Sequence, residues 1–128
     1  MSGKVVHFEV PATKPERARS FYQDVFGWKM NEVPEMDYTL VTTAPVDRDG
    51  TLTEPGAING GMMKRTKRFS GPIITIQVDD IDSALDSVTK HGGKAVVKKT
   101  PIGGNFGFSA YFKDSEGNLM GLFQAPSR

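Results

Sequence analysis

The chain has 128 residues, enough for one compact domain or two very small fused modules. Lys plus Arg number 16 against 15 for Asp plus Glu, so a net charge of +1 gives no electrostatic case for a nucleic acid or an anionic membrane. There is no cysteine, which excludes disulfides and thiolate metal sites; no run approaches the ~20 apolar residues of a membrane span, and no signal-peptide pattern opens the chain, so the cytoplasm is the expected location.

Val5 to Val10 form a β-rich run in which Val6, Phe8 and Val10 share one face and Val5, His7 and Glu9 the other. Pro11 ends it, and Lys14-Pro15-Glu16 opens a helix with Pro at its first position and an acid in its first turn. Ala18, Phe21, Tyr22, Val25 and Phe26 give that helix an apolar stripe, and Gly27 is its left-handed stop. Trp28 to Val33 and Tyr38 to Thr43 are predicted strands; Asp47-Arg48-Asp49-Gly50 is a turn, and Ala57 to Met63 a fourth strand containing Gly60 and Gly61.

The basic run Lys64 to Arg68 and the break Ser70-Gly71-Pro72 precede a second round. Ile73 to Val78 is a strand, with Ile74, Ile76 and Val78 on one face and Ile73, Thr75 and Gln77 on the other. Asp79 or Asp80 caps a helix whose stripe is Ile81, Ala84, Leu85 and Val88, and His91-Gly92-Gly93 ends it. Ala95 to Lys98, Gly107 to Lys113 and Leu119 to Gln124 supply three more strands, the last two joined by the turn Asp114 to Asn118. The order strand, helix, three strands therefore occurs twice. Phe8-Glu9-Val10 can be laid on Ile76-Gln77-Val78, Ala18 on Ala84, and Gly27 on Gly92 or Gly93. The predicted fold class is α+β, with paired βαβββ modules over residues 4–65 and 73–125 and a basic linker at 64–72, forming one domain over 1–128.

Three stretches carry a likeness to a known family: Val6 to Val10 with Ala18 to Tyr22 and Val25 to Trp28; Ile76 to Asp80 with Ala84, Val88 and Gly92-Gly93; and Phe112 to Asn118 leading into Leu122 to Gln124. In this order the chain resembles the vicinal oxygen chelate superfamily, which includes glyoxalases, bleomycin-resistance proteins and extradiol dioxygenases. The resemblance implies curled mixed sheets around a cavity, helices outside, a small-molecule ligand on the concave face, and a homodimer. In metal-dependent members four strand positions hold a divalent ion that stabilises developing negative charge. Here those positions fall on His7, on Ile73, on Gly121 and near Gly60-Gly61, so one of the four carries a side-chain donor. No bound metal or other cofactor is therefore expected, a divalent ion being the alternative.

His7 and Glu9 are the candidate acid–base pair, two positions apart on one strand; a polar pair lining a wet cavity is the other reading. Tyr38, Tyr111, Thr75 and Gln77 are candidate polar groups of a ligand site, with Met62, Phe106 and Phe123 as candidate apolar lining. Gly103 to Gly107 is a loop placed where a lid could close, or a plain connection. The expected function is binding of a small, partly apolar molecule without the usual metal centre, with a metal-dependent lyase or isomerase related to lactoylglutathione lyase as the alternative.

Overall fold

The computed structural model describes residues 3–127. Their contacts divide into two compact units, one of residues 7–72 and the other of residues 3–6 with 73–127. The class is α+β, as expected: the elements run β1 (Val5–Ala12), α1 (Pro15–Phe26), β2 (Lys29–Val33), a 3-10 turn (Pro34–Met36), β3 (Tyr38–Thr42), β4 (Gly60–Lys64), β5 (Ile73–Gln77), α2 (Ile81–Lys90), β6 (Lys94–Pro101), β7 (Phe108–Lys113) and β8 (Leu119–Gln124). Among the described residues no helix is long and apolar enough to cross a membrane.

In the first unit the strand order is β2-β3-β4-β1, with β1 parallel to β4 and the other pairs antiparallel. α1 begins at Pro15, where a missing N–H costs nothing, and stops at Gly27, whose φ of 72° only glycine adopts without strain. The Gly27 and Trp28 amides then reach back to the carbonyls of Gln23 and Tyr22, a paired closure of the last turn. The helix packs Ala18 and Tyr22 against a core of Ala12, Val41 and Met62, joined by Phe8, Trp28 and Met30. Trp28 stacks on Tyr22 at 4.7 Å and 5° and meets Phe8 at 5.7 Å. These rings fill the space under the helix, so the predicted stripe is only partly used: Phe21, Val25 and Phe26 stay more than half exposed. The 17-residue stretch between β3 and β4 is pinned by Asn59, whose Oδ1 accepts from the Thr43 and Ala44 amides.

The second unit repeats the plan. Its order is β6-β7-β8-β5, with β5 parallel to β8 and the remaining pairs antiparallel. Asp80 caps α2, its carboxylate accepting from the Ser83 amide, and Gln124 Oε1 takes the Ile81 N–H at 2.9 Å. Ile81 and Leu85 form the core with Ala110, Phe112 and Leu122, joined by Ile76, Val78, Ala84 and Val88. Ile74 departs from expectation. It is 47% exposed, because α2 packs on β6, β7 and β8 and does not reach the start of β5. β6 also runs on to Pro101, with register shifts absorbing the extra residues.

Strand register corrects the alignment of the halves. Glu9 pairs with Gly61 and Thr75 with Gly121. The offset that lays Pro15 on Ile81 and Ala18 on Ala84 then lays Glu9 on Thr75 and His7 on Ile73, not Glu9 on Gln77.

Candidate functional site

Met62 and Val41 turn toward α1 and are nearly fully buried. Strand alternation sends their neighbours the other way: His7 and Glu9 from β1, Tyr38 and Leu40 from β3, and Met63 from β4. Register sets them side by side. Leu40, Gly61 and Glu9 form one row across three strands, and Tyr38 lies opposite Met63 in the next.

Tyr38 leans across Gly61 to reach the first strand. Its hydroxyl donates to Glu9 Oε2 at 2.7 Å and lies 3.0 Å from His7 Nε2. A Cβ at residue 61 would come within 1.7 Å of the Tyr38 oxygen and 2.1 Å of Cζ, so only glycine leaves room for the ring. The hydrogen-bond order fixes the histidine tautomer. A carboxylate can only accept, so the single Tyr38 proton goes to Glu9, and His7 Nε2 must donate to the Tyr38 oxygen. Nδ1 is then an acceptor. Burial pushes the His7 imidazole below its ordinary pKa, and the Glu9 charge opposes part of that shift. The neutral ring at neutral pH matches the hydrogen-bond order. Glu9 itself is 7% exposed.

The arrangement is an acid–base relay in form. A proton arriving at Nδ1 would make an imidazolium whose Nε2–H points, through one hydroxyl, at a carboxylate. A second polar group lies on the helix side of the same sheet, where Arg19 pairs with Glu32 at 2.7 Å and donates to Thr39 at 3.5 Å.

The structure thus brings His7, Glu9 and Tyr38 together, and adds Leu40 and Gly61, which residue type alone did not mark. Leu40 is 44% exposed beside the acid, and alternation from Tyr38 was the available signal. Met62, expected as apolar lining of the ligand site, lies in the core under α1, one residue out of phase with Gly61. In the second unit Tyr111, Gly121 and Thr75 fall in one row and Gln77 pairs with Phe123 in the next. Phe106 stands 63% exposed on a loop closed by Ile102 N–H to the Gly107 carbonyl at 2.8 Å.

A divalent ion does not fit these donors. Ile73 is apolar and 1% exposed, Gly121 sits against Thr75 Oγ1, and the space above Gly61 is filled by Tyr38. His7 and Glu9 both spend hydrogen-bonding capacity on that phenol. Among the described residues no group of three His, Cys, Asp or Glu could hold a metal, against the three protein ligands of an ordinary catalytic zinc.

Fold and site define a two-module α+β protein of the glyoxalase kind. The family model for the Glyoxalase/Bleomycin resistance protein/Dioxygenase superfamily matches residues 4–122, and the chain belongs to that superfamily. It is 33% identical to a glyoxylase-like domain-containing protein of Didymella fabae, over 100% of this chain and 98% of that protein. A probable lactoylglutathione lyase of Vibrio parahaemolyticus is 25% identical, covering 96% of this chain and 91% of its own length. Among solved structures, a methylmalonyl-CoA epimerase of Streptomyces coelicolor in complex with 2-nitronate-propionyl-CoA superposes with a TM-score of 0.66 at 13% identity, covering 99% of this chain and 100% of its own. A hypothetical protein of Bacillus halodurans gives a TM-score of 0.65 at 16% identity, covering 100% of this chain and 98% of its own. At such identities these two structures establish the shared fold alone.

Proposed function

We propose that this chain binds a small, partly apolar molecule on the sheet face that carries His7, Glu9, Tyr38 and Leu40, and that it does so without the metal centre of its metal-dependent relatives. The observation that carries the reading is the Tyr38 hydroxyl held between Glu9 Oε2 at 2.7 Å and His7 Nε2 at 3.0 Å, over a glycine that must stay a glycine. It ties two residues of metal-ligand type into one hydrogen-bonded network around the Tyr38 hydroxyl. Any chemistry at this face then runs through His7 as acid or base. Exposed Leu40 beside a buried acid supplies the mixed polar and apolar character. The test is a fragment screen by thermal shift, followed by NMR mapping. A ligand of the native state raises the melting temperature and perturbs His7 and Leu40. Hits that leave both residues unperturbed would refute the reading.

The metal-dependent lyase reading draws support from identities of 25% and 26% to probable lactoylglutathione lyases. The donor set described above weighs against carrying it over.

The proposal includes a homodimer with a second copy on α1. Phe21, Val25 and Phe26 are 55–61% exposed there, and Arg17 and Asp24, both exposed, lie three or four residues to either side of Phe21. Two antiparallel copies would cover the apolar residues and set each Arg17 near the partner's Asp24. Sedimentation should give a dimer that Phe21→Asp dissociates; a 14.0 kDa monomer at micromolar concentration would refute it.

A further inference from the structure

The hydrogen-bonding capacity left over at the site says what kind of group a ligand must bring. Two hydrogen bonds of the His7–Tyr38–Glu9 chain fix the protons on the imidazole. The Tyr38 proton goes to Glu9 and its oxygen receives the His7 Nε2 proton. What remains on the imidazole is the Nδ1 lone pair, an acceptor with no proton to give. Among the described residues His7 has no hydrogen bond beyond the one to Tyr38. Among them, too, no buried side-chain nitrogen or oxygen lacks a partner. Nδ1 lacks one, so it reaches solvent.

An accessible acceptor is matched by a donor. Two further features narrow the class. The Glu9 charge acts on the His7 ring in the sense that favours positive charge there, so an anion set against the ring meets an opposing field. Leu40, in the row of Gly61 and Glu9 and 44% exposed, offers apolar contact on the same face two strand spacings, about 10 Å, from Glu9. A ligand that offered only acceptors would leave Nδ1 desolvated and unpaired, which is the expensive way to bury a polar atom.

We propose that the ligand of this face presents an uncharged hydrogen-bond donor, a hydroxyl or N–H carried on an apolar frame, to Nδ1 of His7. The proposal rests on the reading that a small molecule binds at this face, and it adds the class: neutral donors over ethers of the same shape, and both over carboxylates.

The experiment compares three probes of nearly equal size, 4-methylphenol, 4-methylanisole and 4-methylbenzoate, titrated into the full chain at about pH 8. There the phenol, with a pKa near ~10 like tyrosine, stays protonated, and the benzoate is charged. Binding is read from His7 ring and Leu40 methyl resonances, and long-range proton–nitrogen spectra report the His7 tautomer. The phenol should bind at least ten-fold tighter than the anisole, with the benzoate weakest, and free His7 should show Nδ1 as the unprotonated nitrogen. In Tyr38→Phe, where nothing holds the ring in one tautomer, the ten-fold preference should shrink. An anisole or benzoate that binds as tightly as the phenol while perturbing His7 and Leu40 would overturn the donor class and leave the binding face intact. An unprotonated Nε2 in the free protein would overturn it too. If none of the probes perturbs either residue, the binding face itself is wrong and the class falls with it.

Discussion

Gly61→Ala should expel the Tyr38 hydroxyl from the site while leaving the first unit folded. The new Cβ would stand 1.7 Å from the Tyr38 oxygen and 2.1 Å from Cζ, and both atoms lie at the far end of a side chain that can rotate away. The Gly61 backbone is ordinary strand, with no positive φ. Two hydrogen bonds are lost. The one to the carboxylate is worth about 1.5–3 kcal/mol and the neutral one about 0.5–1.5 kcal/mol. Alanine in a strand returns about 0.5–1 kcal/mol relative to glycine. The net loss is about 1–4 kcal/mol, a fall in melting temperature of a few to about twenty degrees for a chain this size. Thermal denaturation by circular dichroism measures the first effect, and the nitrogen spectrum of the His7 ring the second. Gly121→Ala is the matched control. Its Cβ meets Thr75 Oγ1 at 2.8 Å and nothing else closer than 3.5 Å, so it should leave the His7 spectrum unchanged. A folded Gly61→Ala protein with an unaltered His7 ring would refute the seating of Tyr38 over Gly61.

Two further outcomes test other parts of the account. The folded-state pKa of His7 lies below the unfolded value of about 6.5, so the unfolded chain binds the proton more readily. The His7 contribution to stability is therefore whole above about pH 6.5 and is lost as pH falls from there toward the lowered value; urea midpoints should drop more in wild type than in His7→Gln over that window. Phe8→Asp replaces a ring packed on Trp28 at 5.7 Å with a charge in the helix-side core, at a cost of about 3–5 kcal/mol or more against a total of about 5–15 kcal/mol, and should unfold the protein; a soluble, cooperatively melting variant would contradict the face assignment.

What was legible in the sequence was local. Pro15 and Gly27 bracket α1 because each suits one helix end by its own backbone chemistry, and Asp80 caps α2 with its own side chain. Alternation along Val5 to Val10 separated Phe8 from His7 and Glu9, so half of the candidate site could be read from one strand. The rest depends on register between strands distant in sequence. Tyr38 joins His7 and Glu9 because β3 and β4 pair so that Gly61 lies between them, and nothing near Tyr38 encodes that. Gly60-Gly61 reads as a weakness in a strand, whereas Gly61 is the space the phenol occupies. The α1 stripe misled in the opposite sense. Helical spacing marks Phe21, Val25 and Phe26 as core, but the sheet beneath has room only for Ala18 and Tyr22 once Trp28 is stacked in place.

The most direct test of the central claim is elemental analysis of protein grown in medium supplemented with zinc, nickel, iron and manganese, then dialysed. With His7 and Glu9 tied to Tyr38, and with Ile73, Gly61 and Gly121 lacking donor side chains, less than a tenth of an equivalent of any of these metals should remain per chain. One equivalent retained in the wild type and lost in His7→Ala would contradict the account and make His7 a metal ligand.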